Sequence, residues 1–132
     1  MKEREYLIDM VISNYFESVD NYDVNGVLDC FWEDATFTVR SGQPAKHNGK
    51  EEIREMFTEL FKSFPKKMVH KDFKHIVDED EESIASQFNV ELMSGDKEEV
   101  YQTNCNFFYL EDGKFKDVYV YMMGQNVLKG KK

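Results

Sequence analysis

Residues 20–39 read DNYDVNGVLDCFWEDATFTV and pass from a helical pattern to an extended one. Asp23 stands where a helix would begin, because an aspartate there can accept hydrogen bonds from the first free backbone N–H groups. Val27, Leu28 and Phe31 recur at helical spacing, and residues 33–35 break that period. The β-branched and aromatic residues 36–39 then predict a strand.

The elements on either side of this stretch also follow from apolar spacing. Residues 3–19 predict a helix with one apolar stripe, formed by Leu7, Ile8, Val11, Ile12, Tyr15, Phe16 and Val19. Residues 45–48 predict a short returning strand, and a third helix begins at Asn48 and ends before Pro65. Four strands follow over residues 68–78, 84–93, 99–110 and 115–123, and residues 124–132 form a polar tail. We expect a single domain over residues 1–132.

Composition limits the partners of the chain. The 132 residues carry a formal net charge of −9, which disfavours nucleic acids and anionic membrane surfaces because both would repel the chain. No apolar run is long enough to span a bilayer, and the N-terminus shows no secretory signal. Two cysteines do not make a disulfide framework. We therefore expect a cytoplasmic protein that binds neither nucleic acid nor membrane.

Two segments carry a resemblance to a known family. FWEDATF, where a short helix leads into a strand, and HNGKEEIREMF, where the third helix begins, resemble the SnoaL-like branch of the NTF2-like superfamily. That superfamily includes ketosteroid isomerases, polyketide cyclases, scytalone-type dehydratases and a lindane dehydrochlorinase. The resemblance implies an α+β cone, in which three helices from the N-terminal half pack on a curved mixed or antiparallel sheet and enclose a pocket. It implies no cofactor and no metal.

The same resemblance identifies a catalytic pair. Dehydratase and dehydrochlorinase members have an aspartate at the end of the first helix and a histidine on the strand after the third helix. Asp20, at the matching distance before Ala35, and His70 in MVHKDF stand at those places. Imidazole titrates near neutral pH and can move a proton, while a carboxylate fixes its tautomer. The alternative is structural: Asp20 caps a helix or lies in solvent, and His70 bonds Asp72.

The pattern is incomplete, and a second alignment competes with it. Val118 or a neighbour occupies the place of an arginine in the dehydrochlorinase-like pattern, and no second histidine lies near Asn104 or Asn106. In the ketosteroid isomerase alignment Tyr15 and Asn106 fall at or near the oxyanion-binding positions. The general-base position falls on Val39, which cannot take a proton.

The strand faces give a candidate pocket lining. The resemblance implies that the residues facing the cavity are Asn104, Asn106, Phe108, Val118, Val120 and Met122. We also expect a ligand to contact Tyr15, Phe16 and Trp32. The alternative for Trp32 is a packing role without ligand contact. Apolar walls with a few amides suit a small hydrophobic molecule that carries oxygen. The opposite face, rich in tyrosine and phenylalanine, predicts a homodimer through the outer side of the sheet.

No metal site is expected. His70 and His75 have an odd separation along one strand, which predicts opposite faces, and His47 and His75 are expected at the surface. The leading hypothesis is a cofactor-independent lyase or isomerase that uses Asp20 and His70. The alternative is a non-catalytic ligand-binding or dimerisation domain of the same fold.

Overall fold

The computed structural model describes residues 3–41, 43–124 and 126–128, and these form three helical segments and six strands. The first segment, α1, comprises Arg4–Asp9, Met10–Phe16 and Glu17–Asp20 without a break. The remaining elements are α2 (Val24–Leu28), β1 (Phe31–Val39), β2 (Ala45–Asn48), α3 (Gly49–Ser63), β3 (Lys67–Asp78), β4 (Ser83–Met93), β5 (Glu99–Glu111) and β6 (Lys114–Met122).

The strands form one mixed sheet in the order β2-β1-β6-β5-β4-β3. β1 and β6 run parallel, and every other neighbouring pair is antiparallel. The sheet is open, with β2 and β3 at its edges, and the helices cover one face of it. The predicted α+β architecture is therefore confirmed.

Local sequence explains where several elements begin. The Asp23 carboxylate accepts from the backbone N–H of Gly26 at 3.0 Å, which caps α2 as predicted. At the start of α3 the Glu52 carboxylate accepts from the N–H of Asn48 at 2.7 Å. Asp112 and Gly113 both have positive φ, and they make the tight hairpin between β5 and β6.

The start of β1 corrects one expectation. Phe31 belongs to the strand and not to the helical pattern, and the register between β1 and β6 shifts between Phe31 and Thr36. Val27, Leu28 and Phe31 share a spacing because the short helix and the strand both bury them in the same core. Helical periodicity alone cannot reveal where the chain changes from one element to the other.

The middle of α1 is π-helical. Over Met10–Phe16 the backbone bonds run from residue i+5 to residue i, as in the bond from Glu17 N–H to Ile12 O. The wider turn buries Met10 beside the predicted stripe and keeps both Tyr15 and Phe16 in the core. Because the extra residue rotates the last turn of α1, it also sets the direction in which Asp20 points.

A bulge in β3 corrects the expectation for the histidines. The pairing of β3 with β4 shifts between Lys71 and Lys74, and Asp72 has φ of +60°. His70 pairs with Val90 and His75 pairs with Ser86, and both partners are buried on the helix-covered face. His70 and His75 therefore share that face, and the predicted opposite orientation is wrong.

Among the described residues, no helix combines the length and the apolar character that a membrane span needs.

A matched pair of isoleucines tests where the core lies. Ile84 on β4 is 2% exposed, whereas Ile76 on the neighbouring β3 is 78% exposed. We expect Ile84→Ala to lower the free energy of unfolding by about 2–5 kcal/mol, because it leaves a cavity in the core. Ile76→Ala should change it by about 0.5 kcal/mol or less. Urea denaturation measures both, and equal losses would contradict this position of the core.

Candidate active site

Asp20 and His70 lie together between α1 and β3. The Asp20 Oδ1 atom is 2.6 Å from His70 Nδ1, and Asp20 Oδ2 accepts from the backbone N–H of His70 at 3.0 Å. A carboxylate can only accept, so the proton between Oδ1 and Nδ1 belongs to the histidine. This bond leaves His70 Nε2 as the unprotonated nitrogen of the neutral ring.

The imidazole packs against two phenylalanine rings, which also contact each other. The ring centroids of Phe16 and Phe88 lie 4.7 Å and 5.4 Å from that of His70. The His70 side chain is 11% exposed and the Asp20 side chain 27%. The imidazole is therefore largely withdrawn from solvent, and Asp20 and His70 both border a surface cleft that Phe73 also lines.

His70 faces an interior cavity of about 30 Å³. Most of its wall is aliphatic or aromatic. The lining residues are Tyr15, Phe16, Val19, Phe57, Leu60, His70, Phe88, Val90, Leu92, Asn104, Asn106, Val120, Met122, Val127 and Leu128. Pockets that hold small molecules are usually about 300–1,000 Å³, so this cavity is far smaller. A larger ligand therefore needs the wall to move.

Residues 126–128 form one side of this wall. The His47 ring nitrogen is 3.1 Å from the carbonyl oxygen of Leu128, and Asn126 Nδ2 donates to the carbonyl of Gln43 at 2.7 Å. Asn126 is fully buried, and its Oδ1 accepts from the N–H of Leu128 at 2.7 Å. This part of the predicted polar tail thus closes the cavity; residues 129–132 lie outside the described residues.

Two polar groups of the cavity have no partner among the described residues. Asn106 is 3% exposed, and its Oδ1 accepts no hydrogen bond. The Tyr15 hydroxyl makes no hydrogen bond to a described residue, and five phenylalanine rings pack edge-on against the Tyr15 ring. A buried amide oxygen without a partner is costly, so a ligand that bonds it gains affinity.

Burial keeps the Tyr15 phenol protonated. Desolvation raises its pKa well above the ordinary value, and the charges at Cys30 and Asp20 add to the effect. A protonated hydroxyl can donate to an oxygen on which negative charge develops. Tyr15 therefore has the chemistry of a hydrogen-bond donor and not of a base.

Asn104 is already engaged. Its Oδ1 accepts from the N–H of Met123 at 3.2 Å, and its Nδ2 donates to Gln102 at 3.3 Å. This amide holds the end of β6 to β5, so it contributes polarity to the wall while its own bonds are made. Asn106 is the freer of the two predicted amides.

Three of the predicted contact residues lie away from the cavity wall. Trp32 donates from Nε1 to the carbonyl of Glu111 at 2.6 Å, with Lys114 beside its ring. Phe108 packs behind the wall against Tyr15 and Phe16, and Val118 is fully buried. These side chains do not line the cavity: Phe108 and Val118 lie in the core, and Trp32 is held at its exposed bond to Glu111.

Sequence reasoning missed other parts of the wall. His47 was expected at the surface but is 8% exposed, and it holds the segment that closes the cavity. His75 is half-buried, and its Nδ1 atom lies 2.8 Å from Ser86 Oγ. The pair Val127-Leu128, apolar within a polar tail, was the signal in the sequence that this segment packs on the core.

Asp72, the alternative partner predicted for His70, does not contact its ring. Asp72 lies on the outer face of the sheet, where its Oδ2 accepts from Asn89 Nδ2 at 3.0 Å. It therefore does not hold the His70 ring. Within the described residues, no group of three or more His, Cys, Asp or Glu side chains could hold a metal ion.

Ion pairs fasten the part of β3 that carries His70. Glu91 on β4 pairs with Lys67 at 2.6 Å and with Lys71. Hydrogen bonds from Lys67 and then Lys71 lower the pKa of the Glu91 carboxyl from 4.5 to about 2. A carboxyl whose pKa is lower in the folded state stabilises the fold above its unfolded pKa, and this contribution is lost as the pH falls toward the folded value.

This depressed pKa gives a prediction for acid unfolding. In Glu91→Gln the free energy of unfolding should fall less steeply than in the wild type between pH 4.5 and about 2, because the titrating group is gone. Urea denaturation at several pH values across that window measures the slope. Glu81→Gln, a change in the exposed turn before β4, is the control and should run parallel to the wild type. If Glu91→Gln also runs parallel, the ion pairs contribute nothing.

Comparison with known proteins gives a family and a fold. A family model of the SnoaL-like domain matches residues 12–118. A comparison with curated proteins yields no match.

Among solved structures, three similar ones come from different sources. A proposed isomerase from Bacillus subtilis is 15% identical with a TM-score of 0.80, over 93% of this chain and 90% of that one. AusH from Aspergillus nidulans is 17% identical with a TM-score of 0.78, over 98% and 94%. An LEH-like epoxide hydrolase from M. tuberculosis is 14% identical with a TM-score of 0.74, over 90% and 84%. At such identities the likeness establishes the fold alone.

Proposed function

The chain belongs to the SnoaL-like family, and we propose that it binds a small hydrophobic, oxygen-bearing molecule and moves a proton on it without a cofactor. The observation that carries this proposal is the double engagement of His70 by Asp20, at 2.6 Å and 3.0 Å, beside an enclosed cavity. A histidine so held presents Nε2 to the cavity as a base of fixed direction.

The proposed chemistry assigns one role to each polar group. His70 Nε2 takes a proton from a carbon next to a carbonyl group, and the electron pair of that C–H bond moves into an enolate. Asp20 stabilises the imidazolium that forms. The Tyr15 hydroxyl donates to the enolate oxygen, since burial keeps the phenol protonated.

The later fate of the proton distinguishes the possible reactions. If the imidazolium returns it to another carbon, the result is an isomerisation. If it protonates a leaving hydroxyl group, the result is elimination of water. If the enolate carbon attacks a second carbonyl of the same molecule, the result is a cyclisation. The ketosteroid isomerase route has no support, because Val39, at its base position, is fully buried and apolar.

The proposed function requires that a substrate can enter the cavity. At about 30 Å³ the cavity holds no substrate of several carbon atoms, so residues 126–128 must move away for binding. The same small volume favours the second candidate function, a non-catalytic ligand-binding or dimerisation domain. The two candidates differ in whether His70 changes a ligand or merely borders it.

A second copy of the chain is the proposed partner on the outer face of the sheet. Tyr101, Phe107, Tyr109 and Tyr121 are exposed there, and Arg40 lies 4.8 Å from the centroid of the Tyr119 ring on the same face. A contiguous aromatic surface with a few charges is typical of an interface.

The free thiols Cys30 and Cys105 fit a reducing compartment such as the cytoplasm.

Hydrogen exchange on a ketone tests the proton transfer without knowledge of the natural substrate. The wild type should accelerate the exchange of the α-protons of 2-tetralone in D₂O, followed by ¹H NMR. His70→Ala should lower that rate by about 100-fold or more, because general base catalysis contributes about 10²–10⁴-fold.

His75→Ala is the matched control for this experiment, since His75 lies on the same strand and face without a carboxylate partner. It should keep the wild-type exchange rate. Equal rates for the wild type and His70→Ala would contradict catalysis by His70. Saturable binding of the ketone without any exchange would favour the non-catalytic function.

The dimer has a direct test in the mass of the protein in solution. Sedimentation equilibrium should give twice the chain mass of 15.6 kDa for the wild type. Phe107→Asp should give the monomer mass, because it puts an unpaired charge in the interface. Asn25→Asp, which adds the same charge at an exposed position of α2 on the helix side of the sheet, should leave the dimer intact. A monomeric wild type would contradict the assignment.

A further inference from the structure

We propose that Asp72 and Asn89 are positioning residues: they hold a bulge in β3 that turns His70 toward Asp20 and the cavity. This inference rests on the proposed function for its catalytic meaning, but its structural content is independent of any substrate. The register of β3 against β4 and the bonds on the outer face of the sheet support it.

The register shows what the bulge decides. Beyond the bulge Lys74 pairs with Gln87 and His75 with Ser86. If that register continued without interruption, Lys71 would stand opposite Val90 and its ammonium group would face the apolar cavity. The bulge inserts one residue, so that His70 takes the place opposite Val90.

The backbone depends on the same shift. Side chains and N–H groups both alternate along a strand, so a slip of one residue reverses both. β3 is an edge strand, and the N–H of His70 points away from β4, where Asp20 Oδ2 accepts it at 3.0 Å. Without the bulge this N–H would point toward β4. Both bonds between Asp20 and His70 therefore require the inserted residue.

Two side chains on the outer face hold the bulge in place. Asp72 has φ of +60°, a left-handed conformation that aspartate tolerates better than β-branched residues do. Its Oδ2 accepts from Asn89 Nδ2 at 3.0 Å. Asn89 Oδ1 in turn accepts from Thr103 Oγ1 at 2.8 Å. This row of bonds ties the bulge across β4 to β5, remote from the cavity.

A spectroscopic signature of the His70 ring tests this role. The proton on Nδ1, bonded to a carboxylate at 2.6 Å, should give a strongly deshielded ¹H NMR signal that is protected from exchange with water. His70→Gln assigns the signal by its loss. Asp72→Val should lose it, because valine disfavours positive φ and cannot accept from Asn89. Asp72→Asn should keep it, because asparagine tolerates positive φ and its amide oxygen can accept from Asn89 Nδ2.

The 2-tetralone exchange rate is measured on the same variants. It should fall in Asp72→Val to the level of His70→Ala and stay near the wild-type rate in Asp72→Asn. A signal that persists in folded Asp72→Val would overturn the positioning role, whatever the exchange rate. Absence of exchange in the wild type would count against the proposed function alone, because the NMR comparison does not depend on it.

Asn89→Ala keeps the test decisive if Asp72→Val does not fold. It removes only the amide that holds Asp72, and it should lose the deshielded signal while circular dichroism shows the sheet intact. Gln87→Ala, on the same strand and face two positions earlier, is the control and should keep the signal. Retention of the signal in folded Asn89→Ala would also overturn the positioning role.

Discussion

The Asp20 carboxylate binds two groups of one residue, the ring nitrogen Nδ1 and the backbone N–H of His70. The bond to Nδ1 restrains rotation of the imidazole, and the bond to the backbone N–H restrains the carboxylate that makes it. The second bond also fixes the backbone of β3 against the end of α1. The position of the histidine is therefore set by two elements that lie far apart in sequence, and each carries an irregularity: the π-helical stretch of α1 and the bulge of β3.

Both irregularities serve the same geometry. Regular elements would bury an apolar stripe equally well, but a regular β3 would put Lys71 in place of His70 on the cavity side. π-Helical turns and β-bulges are frequent near functional sites because they redirect a side chain without changing the fold. The aromatic packing around Tyr15 and Phe16 then supplies the rigid wall against which the redirected ring is held.

How far the sequence predicts this arrangement depends on whether a feature is periodic. The apolar stripe of residues 3–19 predicted the buried face of α1, and the FWEDATF segment identified the family. Asp20 and His70 could be named only through that resemblance, since no spacing connects residues so distant in the chain. The bulge at Asp72 has no sequence signal as plain as a glycine, so His75 was assigned to the wrong face. The closing segment was missed because two apolar residues in a polar tail carry no period.

The proposed function requires the cavity to open, because Val127 and Leu128 close one side of a site meant for a small hydrophobic molecule. The most direct measurement is a crystal structure of the protein soaked with 2-tetralone. We expect the ketone to lie in an enlarged cavity, with residues 126–128 displaced. Its α-carbon should lie next to His70 Nε2 and its oxygen near the Tyr15 hydroxyl. A ketone bound only outside the cavity, with His70 still covered by the same side chains, would contradict it.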